Sequence, residues 1–305
     1  MRILLFGKTG QVGSALVPLL RDRGRLTALD REGSEGVSGD LSDPSAVAAA
    51  IRSLNPDLVV NGAAYTAVDR AEEEQEVAHK INAEAPGAMA EACRETGASL
   101  VHYSTDYVFS GNGSQPWRED DPVQPVNAYG QTKLAGEEAI RQSGCRYLIF
   151  RTSWVYAANG QNFLRTMLRL ATERDALSVV DDQWGAPTGA SLIAGVTVRM
   201  VELLNRKPGT AGLYHLAPAG ETTWYRYACH AIERARNGGW PVRVDPEKIT
   251  AVGSEAFPTA ARRPLNSRLD CRKLERALGE PMPDWRKGVD EVVDQLVRNQ
   301  PGEQT

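Results

Sequence analysis

Tyr129 and Lys133, in the run Tyr129-Gly130-Gln131-Thr132-Lys133, are spaced to share one helix face, because a helical turn takes about 3.6 residues. A lysine ammonium beside a phenol favours the phenolate and lowers the tyrosine's pKa toward neutrality. Such a phenol exchanges a proton with a carbonyl or alcohol oxygen. Alone, Tyr-x-x-x-Lys is more often a surface pair on an amphipathic helix. Two features elsewhere in the chain give it chemical weight: a glycine loop after the first apolar run, and Ser104-Thr105-Asp106 closing another.

Ser104-Thr105-Asp106-Tyr107-Val108-Phe109 ends the strand-like run Leu100–Ser104. A hydroxyl there can hydrogen-bond a reacting carbonyl and share its developing negative charge. Thr105 takes that role in this reading, Tyr129 is the proton donor, and Lys133 tunes the tyrosine and holds a nicotinamide ribose. Asp106 and Trp154, the latter in Arg151-Thr152-Ser153-Trp154-Val155-Tyr156, are expected near a substrate. They would offer a carboxylate for sugar hydroxyls and an indole as a flat apolar wall. Trp154 reads equally well as core filler.

The cofactor signal is Gly7-Lys8-Thr9-Gly10-Gln11-Val12-Gly13, directly after Ile3–Phe6. Glycines at positions 7, 10 and 13 allow a tight turn, close approach to a pyrophosphate, and close helix–strand packing. Gln11 and Val12 open the following helix, whose unpaired N–H groups and partial positive charge favour phosphate. No Gly-Lys-Ser/Thr closes the loop, so it is not a P-loop. Asp30 ends the second strand, where a carboxylate accepts from ribose hydroxyls and favours NAD(H). Arg31 beside it suits the extra phosphate of NADP(H). Asp40 and Leu41 are expected at the adenine, and Asp43 at the start of a helix as its cap. Ala63-Ala64-Tyr65 keeps the chain slim where the dinucleotide crosses the sheet.

The elements that must position these groups alternate. Strands are expected at Ile3–Phe6, Leu26–Leu29, Leu58–Asn61, Leu100–Ser104 and Tyr147–Arg151. Helices are expected near Val12–Arg23, Pro44–Leu54, Glu72–Lys80, Pro86–Thr96 and Ala128–Gln142. Nearly continuous apolar strands between helices predict an α/β fold, a Rossmann-like doubly wound parallel sheet. On such sheets ligands sit beyond the carboxyl ends of the strands, where the candidate residues fall. Further on, Asn162–Glu173 has helical spacing, Leu177–Val180 and a helix near Leu192–Asn205 are expected to return to the sheet, and shorter elements follow Pro208. These include Leu213–Leu216, a helix after Thr223 and a terminal helix from Trp285. The expected division is a dinucleotide-binding domain over 1–153 and 170–206, with a smaller C-terminal α/β substrate-binding lobe over 154–169 and 207–305.

With 35 Lys+Arg against 39 Asp+Glu and a net charge of −4, the chain lacks the basic excess of a nucleic-acid binder. No apolar run is long enough for a bilayer, and the first strand starts at once without a signal peptide. A cytoplasmic protein with no membrane partner is expected. Cys93, Cys145, Cys229 and Cys271 show no Cys-x-x-Cys spacing, and His79, His102, His215 and His230 form no ligand motif. They read as reduced thiols and ordinary histidines, with no metal site.

Together these motifs resemble the extended short-chain dehydrogenase/reductase family and, within it, the dTDP-4-dehydrorhamnose reductase subfamily. The resemblance runs through Phe6–Gly13, Ser104–Ser110, Tyr129–Glu137, Arg151–Tyr156, Asp182–Thr188 and Arg263–Ser267. It implies hydride reduction, by NADPH or NADH, of the 4-keto group of dTDP-6-deoxy-L-lyxo-4-hexulose to dTDP-L-rhamnose, with Tyr129 protonating the oxygen. It also implies that Asp40, Leu41, Ala63, Ala64, Tyr65 and Lys133 serve the cofactor, and Thr105, Asp106 and Trp154 the sugar. Nucleotide-sugar epimerases and 4,6-dehydratases share the motifs; Tyr107 follows Asp106 where a dehydratase needs a further acid/base carboxylate. A regulatory subunit of the methionine adenosyltransferase type is the non-catalytic alternative. Some members bridge dimers with a cation held by carboxylates on the first helix and after the Gly-Ala-Pro-Thr segment. Ala15 and Ser191 stand there, so a monomer or weak homodimer without metal is expected.

Overall fold

The structure is a computed structural model that describes residues 1–34 and 36–299. Its elements run β1 (Arg2–Phe6), α1 (Gln11–Arg21), β2 (Arg25–Leu29), α2 (Pro44–Leu54), β3 (Leu58–Asn61), α3 (Gln75–His79), α4 (Ala85–Thr96), β4 (Ser99–Thr105), α5 (Ala128–Ser143) and β5 (Arg146–Thr152). Then come β6 (Val155–Tyr156), α6 (Phe163–Glu173), β7 (Leu177–Val180), β8 (Trp184–Gly185), β9 (Thr188–Gly189), α7 (Ala190–Arg206) and β10 (Gly212–His215). The last are β11 (Thr222–Thr223), α8 (Trp224–Asn237), β12 (Ile249–Val252), α9 (Arg272–Leu278) and α10 (Trp285–Arg298).

The central sheet has six strands in the order β10-β5-β4-β3-β1-β2, and every pairing in it is parallel. Four residues of β3 are all buried, as is every β1 residue after Arg2. That is the signature of strands covered on both faces. One core packs α1 and α7 against Ile3, Leu5, Val60, Val101 and Phe150. The opposite core packs α2 and α4 against Leu4, Phe6, Val59, Leu100 and Ile149. β1 has β2 on one side and β3 on the other, so crossovers leave in opposite directions there and open a crevice at the carboxyl edge.

Three expectations need correction. Leu177–Val180 does not return to the central sheet; it pairs in parallel with Ile249–Val252 in a separate two-stranded sheet. Its inward residues Leu177 and Val179 are buried with α6, α8 and α10 in a third core. The strand expected in the C-terminal lobe, Leu213–Leu216, instead supplies β10, the edge of the central sheet, against β5. A single helix over Glu72–Lys80 is also wrong. Arg70–Glu72 is a 3-10 turn, α3 is five residues long, and Lys80–Glu84 is a π-helical turn leading into α4. A π-turn carries one extra residue per turn and re-aims the side chains within it, a device frequent at functional sites. Among the described residues, no helix is long and apolar enough to cross a membrane.

Candidate active site and cofactor cradle

The glycine loop is built as its spacing requires. Gly7 has φ +83°, and a Cβ on it would lie 2.7 Å from the Ala63 backbone nitrogen. A Cβ on Gly13 would lie 2.0 Å from the Gly7 carbonyl oxygen. Gly10 caps α1 with no side-chain acceptor, so N–H groups of the first turn, from Gln11 onward, are free for a ligand oxygen. The cradle fits a pyrophosphate.

Asp30 sits just past β2, with Lys8 Nζ 3.0 Å from Oδ2. Hydrogen bonding to Lys8 holds this carboxyl below its ordinary value. Its Oδ1 is buried without a partner among the described residues, an acceptor that suits a ribose hydroxyl. Lys8, which sequence reasoning passed over, is thus the cation at this position. Arg31 instead reaches Asp40, Nε to Oδ2, at 3.3 Å. Asp40 Oδ1 accepts from the Ser42 amide at 2.9 Å, so this carboxylate has protein partners where adenine contact was expected. Leu41 is buried in the core. Asp43 caps α2 through the Ala46 amide.

Across the crevice, the Ala63-Ala64-Tyr65 loop is held by two asparagines. Asn61 Oδ1 accepts from the Ala63 amide at 3.1 Å. Asn82, carried on the π-turn, accepts from the Tyr65 amide at 2.9 Å and donates to its carbonyl at 3.0 Å. Asn82 also donates to Thr132 Oγ1 on α5, tying the candidate cofactor loop to the helix of Tyr129 and Lys133. Tyr65 packs with Ala71, Ala78, Ala128 and Tyr129.

α5 starts at Asn127, whose side chain accepts from the Gly130 amide at 2.8 Å. The helix then delivers Tyr129 and Lys133 to the end of β4. Thr105 Oγ1 donates to Asp106 Oδ1 at 3.2 Å and accepts from the Tyr107 amide at 3.1 Å. The ring of Tyr129 meets Tyr107 edge-on at 5.7 Å. Burial pushes the Tyr129 phenol above its ordinary value, the charge of Asp106 adds to this, and a hydrogen bond with Thr105 opposes it. Burial likewise raises Asp106 to about 7, against hydrogen bonds from Ser267 and Thr105, and Asp106 Oδ2 has no partner among the described residues.

Lys133 departs from expectation. Its Nζ donates to the Tyr103 carbonyl at 2.6 Å and lies 3.1 Å from His102 Nε2, so its partners are these groups and not the phenol. Burial lowers it to about 8, opposed by the charge of Glu137 one turn further along α5. The tyrosine is accordingly high and protonated rather than lowered: desolvation at this depth outweighs a cation turned elsewhere.

Trp154 has φ +49°, a left-handed conformation that a bulky residue keeps only when its surroundings impose it. Its indole stacks on Trp224 with centroids 3.7 Å apart. A Cβ on Gly185 would meet that indole at 2.8 Å, so the glycine of Gln183-Trp184-Gly185 makes room for it. Nearby, Tyr107, Phe163, Met167, Gln183, Trp224 and Arg263 line a cavity of about 700 Å³, within the range of small-molecule sites. Arg263 is anchored by Asp69 at 2.6 Å.

A model of the family described as RmlD substrate binding domain matches residues 1–298. The chain belongs to this family. The dTDP-4-dehydrorhamnose reductase of Escherichia coli strain K12 is 51% identical over 97% of this chain and 98% of its own length. That of Shigella flexneri is 49% identical with the same coverage. Among solved structures, a dTDP-4-dehydrorhamnose reductase from Clostridium acetobutylicum superposes with a TM-score of 0.87 at 35% identity, covering 97% of this chain and 99% of that one. One from Bacillus anthracis, in complex with NADP, gives 0.84 at 32% identity, covering 96% and 99%.

Within this family member, sequence reasoning missed five contributors: Asn61, Asn82, His102, Trp224 and Ser267. His102 carried a signal, being a polar residue inside the otherwise apolar run Leu100–Val101–His102 of a doubly covered strand. Asn82 and Trp224 carried none, because their roles arise from a π-turn and from a neighbour 70 residues upstream, Trp154.

Proposed function

We infer that this protein reduces the 4-keto group of dTDP-6-deoxy-L-lyxo-4-hexulose to dTDP-L-rhamnose, using NADPH or NADH. The reading rests on Thr105, Asp106, Tyr129 and Lys133 gathered at one strand end in a chain 51% identical to a named dTDP-4-dehydrorhamnose reductase. The dinucleotide, when bound, supplies the hydride that attacks the ketone carbon. Thr105 turns its one hydroxyl hydrogen from Asp106 Oδ1 to the ketone oxygen, and Tyr129 gives that oxygen the proton that completes the alcohol. A phenol held protonated by burial suits that donor role, since reduction consumes a proton at oxygen. Asp106 and the Trp154 indole orient the sugar, and the cavity beside Trp224 and Arg263 takes the nucleotide part. Gly7, Gly10, Gln11, Val12, Gly13, Asp30, Ala63, Ala64, Tyr65, Tyr129 and Lys133 hold the cofactor, with Asp40 and Leu41 shaping the loop beside the adenine from their own protein contacts. In this reading residues 1–153 and 170–206 carry the cofactor and the remainder the substrate, with two exceptions: the central sheet recruits β10, and β7 joins β12 in the C-terminal lobe. The expected location is the cytoplasm.

The test is a coupled assay. dTDP-glucose, a 4,6-dehydratase and an epimerase generate the ketone; oxidation of NADPH or NADH is followed and the product sugar identified. A protein that consumes neither cofactor, or yields another sugar, rules the proposal out.

Both cofactors are expected to work, because Asp30 accepts from a free ribose hydroxyl while Lys8 and Arg31 can meet a phosphate. Asp30→Ala frees the Lys8 ammonium from its 3.0 Å ion pair. It is expected to shift the ratio of kcat/KM toward NADPH by about tenfold, on the order of one charge-assisted hydrogen bond gained or lost. An unchanged ratio places the ribose elsewhere.

Turnover is expected to survive excess EDTA, since Thr105 and Tyr129 already address the carbonyl oxygen. Sedimentation is expected to show a monomer or weak dimer regardless of magnesium, given Ala15 and Ser191 where carboxylates would be needed. A dimer that forms only with magnesium, or activity abolished by chelation, refutes this.

A further inference from the structure

Four polar groups form a chain through the middle of the molecule, and its direction is fixed at one end. The Ala63 amide can only donate, so the Asn61 atom facing it at 3.1 Å is the carbonyl oxygen. Asn61 therefore points its NH₂ at His102 Nδ1, 3.1 Å away, and Nδ1 must accept. A neutral imidazole that accepts at Nδ1 carries its hydrogen on Nε2. That N–H faces Lys133 Nζ at 3.1 Å. An ammonium has no lone pair to receive it; an uncharged amine has one, and keeps N–H groups for the Tyr103 carbonyl at 2.6 Å.

We propose that His102, oriented by Asn61, is a positioning residue that presents its Nε2–H to Lys133 and so favours the lysine as an uncharged amine. The network makes Lys133 a titrating group rather than a fixed cation, and ties its state to the Ala63 amide of the candidate cofactor loop. His102, Asn61 and Lys133 are each about 1% exposed, so water does not substitute for any member. Burial keeps His102 well below the ordinary histidine value, which supports the neutral ring. The remaining charge near Lys133 is Glu137 on α5, and Arg151 from β5 engages both its oxygens, at 2.9 and 2.6 Å. Tyr129, on the preceding turn of α5, is protonated. Glu137 favours the ammonium but is already paired with Arg151, and the protonated phenol adds no charge.

The inference deepens the reading of Lys133 as a member of the proposed site and rests on that reading only for its effect on turnover. The test is therefore made on the resting protein, by NMR. In wild type, ¹⁵N shifts of the His102 ring are expected to show hydrogen on Nε2 and none on Nδ1. The ¹³Cε titration of Lys133, assigned by its loss in Lys133→Met, is then followed in Asn61→Asp. A carboxylate there accepts from Nδ1–H, turns Nε2 into an acceptor, and is expected to raise the lysine midpoint by about one pH unit or more, the worth of one buried hydrogen bond. His102→Phe, which removes the donor, is expected to raise it as well. Hydrogen found on Nδ1 in wild type overturns the proposal without any variant. So does a lysine midpoint that stays put or falls in a folded variant, which would leave burial alone in control. Failure of the coupled assay with these NMR results intact would sink the catalytic reading but not the network.

Discussion

Tyr129→Phe is expected to keep the fold and cofactor affinity and to lose about 100- to 10,000-fold in kcat, the usual worth of a general acid. The substitution removes one oxygen and leaves the ring against Tyr107, 5.7 Å away, so packing is preserved. What disappears is the proton that reduction delivers to the ketone oxygen. Thr105 and Asp106 remain: the hydroxyl still hydrogen-bonds the ketone, and Asp106, raised to about 7, is in part protonated at neutral pH. Those groups set the residual rate. Single-turnover kinetics with NADPH separate the hydride step from product release. A variant that turns over near the wild-type rate would mean that the proton comes from Asp106 or from water.

Glu137→Ala is expected to cost about 3–5 kcal/mol of folding stability, because it strands a buried cation. Arg151 and Glu137 form a two-pronged ion pair at 2.9 and 2.6 Å, with side chains 3% and 1% exposed. Arg151 also lies over the Phe109 ring at 5.0 Å and has one guanidinium nitrogen already without a partner. Little is left to share its charge once the carboxylate goes. Replacing both residues by Leu and Met is expected to cost far less, since the desolvation of two charges is then removed with their attraction. Urea denaturation of the two variants makes the comparison. A loss below about 1 kcal/mol in Glu137→Ala would indicate that water reaches the pair and screens it, as at a protein surface.

The architecture was legible because its signals are local. Apolar runs such as Leu58–Asn61 and Tyr147–Arg151 are strands in the structure within a residue or two, and Asn162–Glu173 is a helix capped by Asn162. Period and capping act over a few residues, so they survive in a sequence read alone. The glycines at 7 and 13 were legible for the same reason: backbone contact excludes a Cβ at both sites.

Partner choice between distant segments was not legible. Leu177–Val180 and Leu213–Leu216 are both short apolar strands. Which of them extends the central sheet depends on where α7 and β12 leave room, a property of assembled layers. The same limit applies to the site. Sequence placed Tyr129 and Lys133 on one helix, but spacing cannot say which group occupies the lysine's lone direction. β4 brings His102 to it and β3 brings Asn61 to His102, and desolvation then reverses the expected effect on the phenol. Residue types and their short-range spacing determined which chemistry this chain could carry. The tertiary structure alone decided which partners each group meets and how far its pKa moves, because desolvation and hydrogen-bond direction exist only once strands far apart in sequence lie side by side.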